Sequence, residues 1–211
     1  MKRKLILAFL IGAAAGAGGV RLYQYLWRAN AARIPTTNPA AEPWAEPMGA
    51  AGLTNLHRVS AGLYRGAQPT AEGFRQLKAM GVRTVVNLRS FSSDRDGIAE
   101  TALAYEHIYS KAWHIEAKEV VRFLQIVTDP ARTPVFVHCK HGSDRTGTMC
   151  ALYRVAVQGW PKEAAIEEMT RGGFGFHETF DNLPEFIRDL DIEDIKRRAA
   201  PTTRPAGTEW R

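Results

Sequence analysis

The sequence predicts an α/β fold in which a mainly parallel central sheet is flanked by helices. Short β-branched runs alternate with longer segments of helical periodicity, and this alternation is typical of a parallel sheet. Gly and Pro lie between the segments, as expected for turns that connect strands to helices. The 211 residues suffice for one such domain with an extension at each end.

The first half of the predicted domain alternates three strands with three helices. The Thr70 hydroxyl can cap the first helix, and Gly81 ends it. Asp129-Pro130 ends the third helix, because the residue before a proline disfavours helical backbone angles. The expected strands are residues 62–65, 84–88 and 105–109, and the expected helices are residues 70–80, 96 or 97 to 104, and 116–128.

The second half begins with the apolar strand Val135–His138 and is otherwise helical. The expected helices are residues 146–158, 162–170 and 183–197. In an open parallel sheet, ligands bind at the carboxyl ends of the strands. Cys139 comes directly after the strand and is therefore expected at the ligand-binding edge.

The segment 139–145 has the chemistry of an anion-binding loop. Five residues separate Cys139 from Arg145, enough to surround one tetrahedral anion with backbone N–H groups and the following helix N-terminus. These dipoles favour the reactive thiolate of Cys139, and the planar fork of Arg145 suits a bidentate phosphate contact. The expected phosphate-binding residues are Lys140, His141, Gly142, Ser143, Asp144 and Arg145.

The run His138-Cys139-x5-Arg145-Thr146-Gly147 resembles the protein tyrosine and dual-specificity phosphatase superfamily. Residues 63–69 and 81–89 are similar to the atypical dual-specificity phosphatases of plants and fungi and their bacterial relatives, and the likeness spans roughly residues 52–198. The resemblance implies a dual-specificity-phosphatase-like fold, a phosphoric monoester hydrolase with a phosphocysteine intermediate, and no cofactor. Relatives in this subgroup include inositol pyrophosphate phosphatases.

The general acid of the superfamily, the Asp of a Trp-Pro-Asp loop, has no counterpart here, because no Asp lies between Asp96 and Asp129. Asp144 resembles an Asp that myotubularin-like lipid phosphatases carry before their loop Arg, where it is a proposed acid. Alternatively, Asp144 orients Arg145. Four other side chains compete as proton donors: Glu116, His114, and Asp94 or Asp96.

Other residues near the loop each have two open interpretations. Thr146 either bonds the sulfur and assists the second step or acts as a capping hydroxyl. His138 either orients the loop from behind or is an ordinary core histidine. Lys140 and His141 either attract additional phosphates or are solvated charges. Residues 171–177 form either a wall of the cleft or an ordinary glycine-rich connection.

Four domain segments are expected: a signal anchor or signal peptide over 1–28, an Ala/Pro-rich linker over 29–51, the phosphatase domain over 52–198, and a disordered tail over 199–211. The basic start and the following apolar run favour an anchor with the domain on the exported side. Secretion after cleavage is the alternative. Four of the +6 charges lie in residues 1–21, so nucleic-acid binding is not expected.

Metal and disulfide chemistry are not expected. The six histidines show no zinc-ligand spacing with the two cysteines. Cys150 falls inside the helix that follows the loop and is expected in the core, so a disulfide with Cys139 is a minor alternative.

The sequence thus predicts a membrane-tethered phosphatase of the protein phosphotyrosine or dual-specificity type. An alternative is a phosphoinositide, inositol polyphosphate or phospholipid phosphatase. A phosphate-binding pseudophosphatase belongs to another class, but Cys139 and Arg145 are both intact. A rhodanese or arsenate reductase fits the Arg-Thr-Gly ending less well. The expected partners are a phosphorylated protein, inositol phosphate or phospholipid substrate, and the oligomeric state is open.

Overall fold

The computed structural model describes residues 43–200, in which a six-stranded sheet carries helices on both faces. The strands are β1 (Glu46–Pro47), β2 (His57–Ser60), β3 (Leu63–Gly66), β4 (Thr84–Asn87), β5 (Ala104–His107) and β6 (Val135–His138). Their order across the sheet is β1-β2-β3-β6-β4-β5.

The four strands on the β5 side of the sheet are parallel, whereas β1 and β2 pair antiparallel at the other edge. Strand β6 lies between β3 and β4, and its last residue, His138, is in register with Gly66 and Asn87. Three strands therefore end at the same level around Cys139. The prediction of a mainly parallel sheet flanked by helices is confirmed.

Two apolar clusters cover the two faces of β6. Val135 and Val137 pack into the larger cluster, and Phe136 packs into the smaller one with Phe74 and Leu77. Successive side chains of a strand point to opposite faces, so a strand buried on both sides reads as the continuous apolar run seen in the sequence. The helices are α1 (Ala71–Ala79), α2 (Arg95–Ile98), α3 (Ala117–Val127), α4 (Asp144–Ala156), α5 (Lys162–Arg171), α6 (Asn182–Asp189) and α7 (Ile192–Ala199), with a 3₁₀ turn at Glu178–Phe180.

Two helix predictions are wrong. The helix expected up to residue 104 ends at Ile98, because the Thr101 hydroxyl donates to Ile98 O at 2.7 Å and accepts from Leu103 N at 3.3 Å, which closes a turn before β5. The single helix expected over 183–197 is divided into α6 and α7. Asp191 caps the second helix by accepting from Asp194 N at 2.9 Å, and a cap requires non-helical backbone.

The antiparallel edge was not predicted. Strand β1 lies inside the range 29–51 expected to be a linker, and its two residues are too short to give a pattern. The Ala45 amide beside it donates to Glu168 Oε1 at 2.7 Å, which fixes this segment against α5. The expected anchor over 1–28 and nearly all of the expected tail lie outside the described residues. Among residues 43–200, none of the helices has the length and apolarity needed to cross a membrane.

Candidate active site

The segment 139–145, here called the phosphate loop, joins the end of β6 to the start of α4. Cys139 is 2% exposed and follows β6 directly, while α4 begins at Asp144 and points its N-terminus toward the loop. An α-helix N-terminus carries unpaired N–H groups and a partial positive charge. The position of the thiol at the meeting point of strand and helix therefore suits a bound anion.

The loop backbone is held from outside by donors that bind its carbonyls. Three such hydrogen bonds are present: Gln68 N to Lys140 O at 3.2 Å, Asn55 Nδ2 to His141 O at 3.0 Å, and Arg65 Nη2 to Gly142 O at 2.7 Å. In a planar trans peptide the following N–H points away from the carbonyl. The amides of His141, Gly142 and Ser143 thus point away from these donors, and none donates to a described residue.

Gly142 is required by both backbone conformation and space. Its φ of +76° is unfavourable for a residue with a Cβ. A Cβ at this position would lie 2.5 Å from Gly66 C and 2.7 Å from Ala67 N, which are backbone atoms that cannot move aside. The close approach of the loop to the end of β3 depends on this glycine.

Arg65 lies buried beneath the phosphate loop, a role that sequence reasoning missed. Its guanidinium packs 3.7 Å over the Phe174 ring, and no ion pair among residues 43–200 includes it. Its Nε is buried with no hydrogen-bond partner among these residues. Burial lowers the pKa of Arg65, and the nearby Cys150, Glu168 and Cys139 oppose that shift.

Arg145 is anchored by the loops that follow β4 and β5. Its Nη1 donates to Leu88 O and to Ser110 O, each at 3.3 Å. Nε is buried without a partner in the described chain, and Nη2 forms no hydrogen bond there. The guanidinium therefore keeps one edge, Nε and Nη2, unused by the protein, which is the edge that a bidentate anion contact needs.

The Thr146 hydroxyl is fully buried and forms no hydrogen bond with any described residue, the Cys139 sulfur included. A buried hydroxyl without a partner is uncommon in a folded protein. It remains available to a group that enters the loop.

His138 connects the phosphate loop to a charged pair behind it. Its Nδ1 lies 3.1 Å from Cys139 O, and its Nε2 lies 3.0 Å from Asp94 Oδ2 without the alignment of a hydrogen bond. The other carboxylate oxygen of Asp94 accepts from Arg89. Asp94, one candidate acid, is thus engaged behind the loop and 4% exposed.

The remaining rival acids lie at the surface. Glu116 pairs with Lys118 at 2.7 Å, and this hydrogen bond lowers the pKa of its carboxyl, which favours the anion over a proton donor. His114 is exposed on the turn after β5, and Asp96 is exposed on α2.

Asp144, by contrast, lies in the loop and is 6% exposed. Its carboxylate binds His177, whose backbone N donates to Oδ1 at 2.9 Å and whose Nδ1 lies 2.9 Å from Oδ2. The segment 171–177 is therefore a wall of the site rather than a bare connection. Ser143 Oγ donates to Phe174 O at 2.8 Å and ties that wall to the loop.

Lys140 and His141 have exposed side chains at the rim.

Cys150 is buried in α4, where burial raises the pKa of its thiol to about 11, and both cysteines are free. In the described part of the chain, no group of three His, Cys, Asp or Glu side chains could hold a metal ion.

Comparison with known proteins agrees with this geometry. Residues 46–182 match the family model described as a DSP-PTPase phosphatase fused to NAD+ kinase. The chain is 35% identical over 162 residues to the dual specificity protein phosphatase TpbA of Pseudomonas aeruginosa, covering 76% of this chain and 73% of that protein. An inositol diphosphatase of Arabidopsis thaliana is 27% identical over 154 residues, covering 68% and 72%. The crystal structure of TpbA superposes with a TM-score of 0.66 at 32% identity, covering 77% of this chain and 99% of that one.

Proposed function

Because the chain belongs to the cysteine-dependent dual-specificity phosphatase family, we propose that Cys139 attacks the phosphorus of a phosphate monoester and forms a phosphocysteine intermediate. One observation carries this assignment. The loop amides of His141, Gly142 and Ser143 point away from three outside donors, and the same short loop carries the Cys139 thiol and the free edge of Arg145. Such a nest binds an anion and stabilises the charge that builds on its oxygens.

Each loop residue then has a defined task. In the first step, Cys139 Sγ bonds to phosphorus, the ester P–O bond breaks, and the free edge of Arg145 holds two equatorial oxygens. In the second step, water attacks the phosphocysteine, and the sulfur leaves as a thiolate. The unpartnered Thr146 hydroxyl assists that departure by donating a hydrogen bond.

Phosphotyrosine in proteins is the substrate class that the site supports best. A Cys-to-Ser variant of TpbA has been solved in complex with phosphotyrosine. In this chain, three large aromatic side chains are exposed on the segments after β4 and β5, whose carbonyls bind Arg145: Phe91 is 91% exposed, Tyr109 67% and Trp113 62%. Aromatic side chains at such a rim would pack against an aryl ring or a peptide.

Inositol polyphosphates are the second candidate substrates. The observation that favours them is the exposed basic pair Lys140 and His141, which can meet phosphates beyond the one in the loop. Several curated relatives are inositol diphosphatases, at 24–27% identity.

The nucleophile is tested with Cys139→Ser, and Cys150→Ala serves as the matched cysteine control. We expect Cys139→Ser to abolish turnover of an aryl phosphate while still binding phosphate or vanadate, and Cys150→Ala to remain active. Activity should persist in EDTA. Near-normal turnover by Cys139→Ser would refute the covalent route. Initial rates on phosphotyrosyl peptides, phosphoinositides and inositol polyphosphates then rank the substrates.

The basic, apolar start of the chain supports a membrane anchor over residues 1–28 with the domain exported. The full chain should sediment with membranes, and a chain that starts at Pro43 should not. Release of the full chain by high salt alone would exclude a spanning segment. A reporter fused after Arg211 would locate the domain on one side of the membrane.

A further inference from the structure

The site needs a proton donor for the leaving oxygen, and the described carboxyl groups near it are already engaged. Asp94 lies behind the loop between Arg89 and His138, and Glu116 is paired with Lys118. Both oxygens of the Asp144 carboxylate contact His177. A carboxylate whose two oxygens both contact one neighbouring residue is better placed to orient that residue than to reach a substrate.

His177 has the geometry of an imidazole oriented by a carboxylate. Its Nδ1 lies 2.9 Å from Asp144 Oδ2 and 3.1 Å from Oδ1, and its own backbone N–H donates to Oδ1 at 2.9 Å. This contact fixes the ring orientation and places a proton on Nδ1 facing the carboxylate.

The other ring nitrogen of His177 is free. Nε2 forms no hydrogen bond with a residue in the range 43–200, and the side chain is 49% exposed. The Asp144 side chain is 9% exposed, whereas the imidazole side chain is about half exposed. This asymmetry is the arrangement that proton transfer to a bound substrate requires.

The ring also lies at the rim of the phosphate loop. The His177 and His141 ring centroids are 5.7 Å apart, and His141 is the third residue of the loop. Two hydrogen bonds hold the preceding segment against the loop wall: Ser143 Oγ to Phe174 O at 2.8 Å and Asn55 Nδ2 to Phe174 O at 2.9 Å. His177 is therefore placed by the same wall that shapes the site.

We propose that His177, oriented by Asp144, is the general acid that protonates the leaving oxygen; this inference rests on the proposed nucleophile Cys139. As Sγ bonds to phosphorus, the ester P–O bond breaks, its electron pair passes to the ester oxygen, and that oxygen takes the proton from Nε2. In the second step, Nε2 accepts a proton from the attacking water, and the S–P bond breaks to return the thiolate. Asp144 is a positioning residue in both steps.

The test compares two substrates in the full-length protein: phenyl phosphate, whose leaving oxygen has a pKa of about 10, and the highly activated 2,4-dinitrophenyl phosphate. Only the first needs a proton at departure. His177→Gln should lower kcat for phenyl phosphate by about 10²-fold or more and kcat for the activated ester by less than about threefold. Because both rates come from one preparation, partial unfolding cancels in their ratio.

Two further variants decide between His177 and its neighbours. Asp144→Asn should show a selective loss in the same direction, and adding it to His177→Gln should cause no further selective loss, because the two residues act as a unit. His141→Gln is the matched imidazole control and should affect both esters alike.

Three outcomes would overturn the proposal. Equal losses on both esters in His177→Gln would assign the pair a structural role. A selective loss in Asp144→Asn alone would make Asp144 the acid. A selective loss in His141→Gln would identify His141 as the proton donor. Absence of Cys139-dependent turnover of either ester by the parent protein would instead refute the proposed function.

Discussion

Two arginines, one on β3 and one on α4, are buried to the same degree but have different partners. Arg65 and Arg154 are each 1% exposed. Arg154 forms a bidentate pair with Glu168, with Nε 2.8 Å from Oε2 and Nη2 2.7 Å from Oε1, and it stacks 4.3 Å over the Trp160 ring. Arg65 binds the Gly142 carbonyl and the Phe174 ring, and no carboxylate pairs with it in the part of the chain described.

This difference indicates that the Arg154 pair stabilises the fold, whereas Arg65 acts at the phosphate loop. The Arg154–Glu168 pair is neutral overall, and through Ala45 N it ties the first strand to α5. Arg65 instead leaves a net positive charge beneath the phosphate loop. Burial of an unpaired charge is unfavourable in the empty protein. The charge becomes favourable when an anion occupies the loop, so we expect Arg65 to contribute more to anion binding and turnover than to stability.

The largest effect is expected at the paired arginine. Glu168→Ala removes the carboxylate that pairs with the buried Arg154 guanidinium, and should lower the free energy of unfolding by about 3–5 kcal/mol in urea denaturation. The double variant Arg154→Met with Glu168→Leu should recover most of that loss. Turnover per folded molecule should stay near the parent value in both. A large fall in turnover of the folded protein would mean that this pair also serves the site.

Arg65→Met should give the converse result. We expect kcat/KM for an aryl phosphate to fall by about 10²–10³-fold, as for removal of a preorganised electrostatic contact, while the free energy of unfolding changes far less. Arg65→Lys keeps the charge without the planar fork and should retain more activity. A loss of several kcal/mol in stability with normal kcat/KM would reverse the comparison.

The sequence identified the parts of the site that are contiguous in the chain. Cys139 and Arg145 were predicted from their spacing, and the bounds of β6 were predicted correctly because a strand buried on both faces is a continuous apolar run. Residues that reach the site from distant positions in the sequence carry no such local pattern. Arg65 reaches its loop partner across 77 residues, Asn55 across 86, and His177 reaches Asp144 across 33.

The family resemblance of residues 63–69 includes Arg65 but does not predict its position beneath the phosphate loop. Nothing local shows that an arginine in a strand will be buried under a loop. The break between α6 and α7 was missed because no Gly or Pro separates the two helices, although Asp191 belongs to a residue type that favours N-caps over helix interiors.

The pKa of the Cys150 thiol responds to both arginines, so its titration compares their electrostatic effects. Burial raises its pKa to about 11; Arg65 and Arg154 both oppose this shift, and Arg65 has the larger effect. Between pH 9 and 11 the unfolded thiol loses its proton while the folded thiol keeps it, so stability falls as pH rises. The parent should lose about 2–3 kcal/mol more than Cys150→Ala across this window.

In Arg65→Met the decrease in the free energy of unfolding should continue to higher pH. In the double variant Arg154→Met with Glu168→Leu, the pH dependence should differ less from that of the parent. Urea denaturation at a series of pH values provides the curves. Parallel curves for the parent and Cys150→Ala would show that the Cys150 thiol titrates normally.

The smallest effect concerns the ring beneath Arg65. Phe174→Leu keeps an apolar surface but removes the stacking, and a cation–π contact contributes about 0.5–2 kcal/mol depending on its exposure. We expect a loss of about 1 kcal/mol in stability and a several-fold decrease in kcat/KM. Because Arg65→Met removes the same contact, the two substitutions should not be additive. Full additivity would show that the ring acts independently of the guanidinium.

The outward orientation of Lys140 and His141 has a consequence for how this enzyme can diversify. The phosphate loop is held through its backbone carbonyls and its glycine, so the side chains at these two positions are not needed to maintain its shape. Substitutions there can alter which phosphate ester is preferred while the reacting centre stays intact. We therefore expect substitutions at these two positions to change substrate preference more than loop conformation.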